Sequence, residues 1–194
     1  MSRLIWIAIP TLILAGCNKA ETPGNDNALA FNAANSATTN SMMSAGAPVA
    51  TPVTDSATYL AKAGAGDLFE IESSKAILGK TTNADIKSFA QMMVDEHGKS
   101  TAKVKAAAQT AGLTVPPPAL DPAQAAMLDG IKSATGNAAD RAYLDAQRTA
   151  HDEALALHSG YAASGDAPEL KAAASQIAPV VQHHIDELSK LNAN

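Results

Sequence analysis

From about Asp85 to Ala111 the chain contains no proline, and Ile86, Phe89, Met93, His97, Val104, Ala108 and Ala111 recur at three-, four- and seven-residue steps. That spacing lines all seven along one stripe of an α-helix. Such a stripe is buried against other helices, so a histidine occupies a core position near its middle. Two later stretches repeat the arrangement. A long helix is expected after Thr135-Gly-Asn137, ending near Ala163. Its inward row holds Asp140, Gln147, His151, Ala154 and His158, flanked by Leu144, Leu155 and Ala162 on one side and by Tyr143 and Tyr161 on the other. A final helix, capped by Asp166 and reaching about Leu191, has Leu170, Ala173, Ile177, Val181, His184, Leu188 and Leu191 as its stripe. Buried polar groups persist only when they are partnered or bind something.

Abundant alanine, few aromatics and scarce β-branched runs point to an all-helical domain. The first helix is expected over Ser56 to Leu78, capped by Asp55 or Ser56, with Leu60, Gly64, Leu68, Ile71 and Leu78 as its buried stripe. Glu70 shares a row with Tyr59, Ala63 and Ile77 beside that stripe, and Glu72 points to the opposite shoulder. Gly79 to Ala84 is a short turn, with Thr82 or Asn83 capping the second helix, so the first two helices are antiparallel neighbours. Gly112 ends the second helix, and Val115-Pro-Pro-Pro118 forces an extended connection. Asp121-Pro122 then opens a short helix to about Ser133. Pro179 falls inside the final helix, where it kinks the backbone or leaves a carbonyl free one turn earlier. The expected architecture is an antiparallel four-helix bundle over residues 55–194, with a short extra helix between the second and third long helices.

The amino-terminal residues read as targeting rather than fold. Arg3, the apolar run Leu4 to Leu14 and Leu14-Ala-Gly-Cys17 resemble a lipoprotein signal with its lipobox. The resemblance implies cleavage after residue 16, lipidation of Cys17 and anchoring in the bacterial cell envelope. Asn18 after the cysteine favours the outer membrane, with the domain facing the periplasm. Cys17 is the only cysteine, which leaves no intrachain disulfide. Residues 17–54 are rich in Ala, Asn, Thr, Ser and Gly and read as a tether. As a random coil it spans roughly 30–35 Å. Met42-Met43 within it is too isolated to make a metal site.

A net charge of −5 argues against nucleic acid, whose phosphates need clustered Lys and Arg. Lys99, Lys103 and Lys105 share their helix with Asp95 and Glu96 and read as a solvated face. Phosphate loops, nucleophile elbows and catalytic cysteines are absent from the sequence, and no catalytic residues are nominated. Three inward histidines on three helices and Glu70 from the fourth suit a transition metal such as Fe, Zn, Mn or Cu. The candidate ligands are therefore Glu70, His97, His151 and His184, with Glu72, Asp95, Tyr143 and Gln147 behind them. Each histidine needs an acceptor for its second nitrogen, and Asp95, Gln147, Asp140 and Glu187 are the nearest in pattern. Glu-x-x-His pairs, the mark of carboxylate-bridged di-iron bundles, do not occur.

Ala65-Gly-Asp-Leu-Phe-Glu-Ile-Glu72, the run from Ile86 to His97, Asp140 to Gln147 with His151, and Pro179 to His184 together resemble the bacterial envelope family DUF4142. The resemblance runs from about Tyr59 to Leu191. It implies a ferritin-like helical bundle, usually exported and sometimes described as a predicted outer-membrane protein, and brings no established reaction. Glu70, Asp95, His97, Tyr143, His151 and His184 match its pattern, whereas His158 and His183 do not. The expectation is an envelope lipoprotein whose bundle binds a metal ion or small ligand. The alternative is a non-catalytic module for protein contacts or stress tolerance, with structural histidines.

Overall fold

The computed structural model describes residues 52–193, and those residues form five α-helices and no strand. The signal segment 1–16, Cys17, Met42-Met43 and nearly all of the tether lie outside the described residues. Helix α1 spans Ser56–Leu78, with the Asp55 carboxylate accepting from the Thr58 amide. Asn83 caps α2 (Ala84–Thr110) in the same way, accepting from Asp85 and Ile86. A full capping box, Asp121 with Gln124, opens α3 (Pro122–Ser133). Each cap satisfies amide donors that a helix start leaves orphaned. Helix α4 spans Asn137–Ser164 and α5 spans Pro168–Leu188. None of these helices is long and apolar enough to cross a membrane.

Two expectations at the last helix are corrected. Asp166 does not cap it; the first-turn residue is Pro168, and Ala167 precedes it without a side-chain cap. The Asp166 carboxylate instead accepts from the Tyr161 hydroxyl at 2.9 Å, and its amide donates to the Thr54 carbonyl. The helix ends at Leu188, three residues before the expected Leu191, where the amides of Ser189, Lys190 and Leu191 turn back onto its last carbonyls.

Helix α1 is rotated relative to expectation. Its buried residues are Tyr59, Leu60, Ala63, Asp67, Phe69, Glu70, Ser73, Ser74 and Ile77, whereas Gly64, Leu68, Ile71 and Leu78 are only half-buried. Four of the nine buried residues are polar, so a search for the most apolar stripe selects a shoulder rather than the inward face. The polar residues go inward because partners meet them there. Ser74 Oγ lies 2.9 Å from the Tyr143 hydroxyl, and Gln147 Nε2 donates to Ser73 Oγ at 3.2 Å.

Helix α1 packs on α2 and α4, and α5 packs on α2 and α4, while α3 lies against α1 and α4. The pairings run in opposite senses: Tyr59 meets Tyr161 and Ser74 meets Tyr143 across α1 and α4, and Lys103 meets Gln176 while His97 meets His184 across α2 and α5. The Lys80 ammonium donates to the Lys132 and Ala134 carbonyls, fastening the end of α3 to the α1–α2 turn.

Two apolar clusters fill the interior. One includes Phe69, Ile77, Ile86, Phe89, Met93, Leu128, Ile131, Leu144 and Leu188; the other includes Tyr59, Leu60, Val104, Tyr161, Leu170, Ile177 and Val181. Each large side chain so buried contributes roughly 1.5–3 kcal/mol. On α2, α4 and α5 the candidate histidine falls between residues of the two clusters. A polar layer is thereby held between two dry ones.

Candidate metal centre

His97 enters that layer from α2, His151 from α4 and His184 from α5, each at most 4 % exposed. Their ring centroids are 5.6, 5.5 and 5.4 Å apart, nearly an equilateral triangle. One ring nitrogen of each lies within 4.8 Å of the other two. Nitrogens bonded at about 2.0–2.1 Å to a tetrahedral zinc stand roughly 3.3–3.4 Å apart. Ligation of one ion by all three would require the nitrogens to close from within 4.8 Å to that separation.

Protein contacts orient two of the rings. His97 Nδ1 lies 2.9 Å from Asp67 Oδ1, and the other Asp67 oxygen accepts from the Thr101 hydroxyl at 2.8 Å. His151 Nδ1 donates to the Gln147 carbonyl at 2.9 Å. With Nδ1 donating in both, the neutral form of each ring carries its lone pair on Nε2, the state in which imidazole binds a metal. Both Nε2 atoms, and both ring nitrogens of His184, lack a hydrogen-bond partner among the described residues.

Electrostatics divide the trio. Burial, reinforced by His97, holds His151 down to about 4, and burial with His97, His151 and His183 holds His184 down to about 3. Both are neutral near pH 7. Burial also opposes protonation of His97, but the Asp67 hydrogen bond and the charges of Glu70, Asp67 and Glu96 outweigh it and raise that group. Burial pushes Glu70 up to about 7, against the pull of His97 and Gln147.

Glu70 is 2 % exposed, and neither carboxylate oxygen has a hydrogen-bond partner among the described residues. Its Oε1 lies 3.4 Å from His151 Nδ1, the ring edge already committed to Gln147. Glu70 therefore stands beside the trio rather than within the set of converging nitrogens. Gln147 is fully buried behind His151, and Tyr143 is buried but spends its hydroxyl on Ser74. Glu72 and Asp95 are turned away, the first paired with Lys75 at 3.1 Å and the second exposed and accepting from Gln91. Glu187 likewise pairs with Lys190 at the surface. Asp140 is buried, with Oδ1 unpartnered among the described residues.

Asp67 is the residue that the apolar pattern did not nominate. It sits four residues after Ala63 and three before Glu70, so a row drawn through Tyr59, Ala63 and Glu70 contains it. His158, buried on α4, has Nδ1 3.0 Å from the Tyr59 hydroxyl, and His183 is exposed.

Two cavities reach the layer. One, of about 460 Å³, is bounded by α1, α4 and the start of α3, and its walls include Asp67, Glu70, His97, Glu153 and His158. The other, of about 380 Å³, opens between α2 and α5 beside Met92, Glu96, Pro179, His183 and His184. Pro179 lacks the amide that would otherwise bond one turn back, as its place inside α5 requires.

A family model described as "Domain of unknown function (DUF4142)" matches residues 39–191. A solved structure, described as "Crystal structure of DUF305 fragment from Deinococcus radiodurans", is similar in fold at TM-score 0.60 and 16 % identity, over 69 % of this chain and 91 % of that one. Among curated proteins no match is found.

Proposed function

The chain belongs to the DUF4142 family, and we propose that it is an envelope lipoprotein whose helices form an antiparallel four-helix bundle of ferritin-like kind, built to hold one divalent transition-metal ion. His97, His151 and His184 are the ligands, and Glu70 stands at the edge of the site. The observation that carries this reading is the convergence of three buried imidazoles whose facing nitrogens have no protein partner. Leaving a buried polar group unsatisfied costs roughly 1–3 kcal/mol. One such nitrogen on each of three histidines within one layer makes sense when a shared ion satisfies all three. Histidines that merely fixed helix register would spend those nitrogens on neighbouring helices.

Three imidazoles without thiolate suit copper, zinc or iron better than the oxygen-seeking manganese or magnesium. The Asp67–His97 pair resembles the carboxylate support that orients metal-bound histidines. A cleaved signal, lipidated Cys17 and the following tether would hold this bundle off an outer-membrane surface, where protein partners of the envelope also have access to it.

Calorimetric titration of the full chain with Zn²⁺ and Cu²⁺ tests the reading. One saturable site per chain is expected, tighter for Cu²⁺. Asp67→Asn lowers affinity by about 10–100-fold, the effect of losing a carboxylate behind a ligating histidine. Asp95→Asn, at the surface, leaves affinity unchanged. Absence of saturable binding would refute the assignment.

A further inference from the structure

Building on that metal-site reading, we propose that the ion keeps a fourth coordination position open to a small exogenous molecule, water at rest, whose approach the Glu70 carboxylate lines. The arrangement of protein ligands is the first ground. Three ring nitrogens converge with no carboxylate oxygen among them in the described residues; Asp67 is held on His97 Nδ1 at 2.9 Å, and Glu70 approaches His151 on its Nδ1 edge at 3.4 Å. That edge faces away from the ion whenever Nε2 ligates, and Nδ1 is already bonded to the Gln147 carbonyl. Direct ligation by Glu70 would require its side chain to leave this position.

The second ground is the unused hydrogen-bonding capacity of the carboxylate. Neither buried Glu70 oxygen makes a hydrogen bond of ordinary geometry among the described residues, although the Gln147 amide lies close enough to favour the charged form, so acceptor capacity remains for a protic molecule beside them. The third is space. Glu70 and His97 share the wall of the cavity of about 460 Å³, which runs out past Glu153 and Lys62, both exposed. That route leads a molecule the size of water, azide or peroxide as far as His97, one of the three ligands, and past Glu70.

Structural metal sites close their coordination with four protein groups, whereas reactive ones hold three and leave one position to water or substrate. The geometry here matches the second pattern. Small molecules able both to bind a metal and to donate a hydrogen bond to a carboxylate are the class that this position accepts.

The test uses the full chain loaded with one equivalent of Cu²⁺, with metal content measured alongside. Paramagnetic relaxation of solvent protons is expected to show an exchangeable inner-sphere water, and added azide to abolish that contribution while copper stays bound. Glu70→Gln retains the water, because the carboxylate is not a ligand. The proposal is overturned if loaded wild-type protein shows outer-sphere relaxation alone, and decisively so if Glu70→Gln then gains an exchangeable water, which would make Glu70 the fourth ligand. Failure of copper to bind at all would overturn the metal-site reading itself, and the measured metal content separates that outcome from a closed site.

Discussion

Neither ring nitrogen of His184 meets a hydrogen-bond partner among the described residues, although the residue is 2 % exposed. Without metal this side chain costs stability, because its polar edges have left water for nothing in return. His184→Leu is therefore expected to leave the metal-free protein as stable as wild type or up to about 2 kcal/mol more stable, by relieving that penalty and adding apolar contact. On the proposed metal site, the same substitution is expected to abolish stabilisation by metal. Denaturant unfolding with and without Zn²⁺ checks both halves, and a strongly destabilised metal-free variant would mark His184 as an ordinary core residue. His158 yields a prediction about pH. Burial first, and His97 next, hold it down to about 4 against the pull of Asp67, whereas an unfolded histidine titrates near 6.5. Between those values the unfolded chain binds more protons, so the stability contribution is complete above about pH 6.5 and is lost as pH falls toward 4. His151 and His184 act in the same sense, and Glu70, raised to about 7, acts in the opposite one. Replacing His158 by Gln removes one proton-binding group and flattens the pH slope of unfolding free energy by up to about 1.4 kcal/mol per unit. Urea titrations at pH 7, 6 and 5 measure that slope, and parallel wild-type and variant curves would contradict the assignment.

At the scale of elements, helix α2 was legible almost completely. Asn83 stands just before its first periodic residue, and Ile86, Phe89, Met93, His97, Val104 and Ala108 are all buried as the stripe requires. Helix α1 was legible in its ends but not in its rotation. Periodicity weights apolar residues, and the inward face of α1 carries Asp67, Glu70, Ser73 and Ser74, whose burial depends on partners from α2 and α4 that no local pattern encodes. That is why Asp67, the support of His97, was missed although it lies on the same row as Tyr59, Ala63 and the nominated Glu70. The α4–α5 corner was hidden for a similar reason: Asp166 looks like a cap, yet Tyr161 claims its carboxylate. The corner is also sterically tight. A Cβ on Gly165 would stand 2.5 Å from the Tyr161 ring, which stacks on Tyr59 at 3.9 Å. Gly165→Ala should accordingly cost about 1–3 kcal/mol as that stack is displaced. Gly98→Ala, in α2 where an added Cβ meets nothing within 4 Å, should instead stabilise by about 0.5–1 kcal/mol through helix propensity. Thermal melts of the two variants decide, and equal shifts would argue against the packing described for this corner.

At the scale of the molecule, two apolar clusters hold the five helices together, and the polar layer between them is a local weakness in that scheme. Sequence periodicity located the helices and placed His97, His151 and His184 on inward stripes. Their meeting in one layer depends on the tilt and register of three helices, which lie beyond any pattern within a single helix. A bundle that tolerates unsatisfied nitrogens at its centre should gain stability when they are filled. The most direct measurement is metal content by elemental analysis, with thermal melting of the full chain in metal-free buffer and with Zn²⁺ or Cu²⁺, beside a His151→Ala, His184→Ala double variant. Metal at about 100 times its dissociation constant contributes about 2.7 kcal/mol. In a domain of this size that is a rise of roughly 5–10 °C in melting temperature. The account predicts near-stoichiometric metal and such a rise in wild type, and neither in the double variant. A wild-type protein that carries no metal and melts at one temperature in every buffer would contradict it.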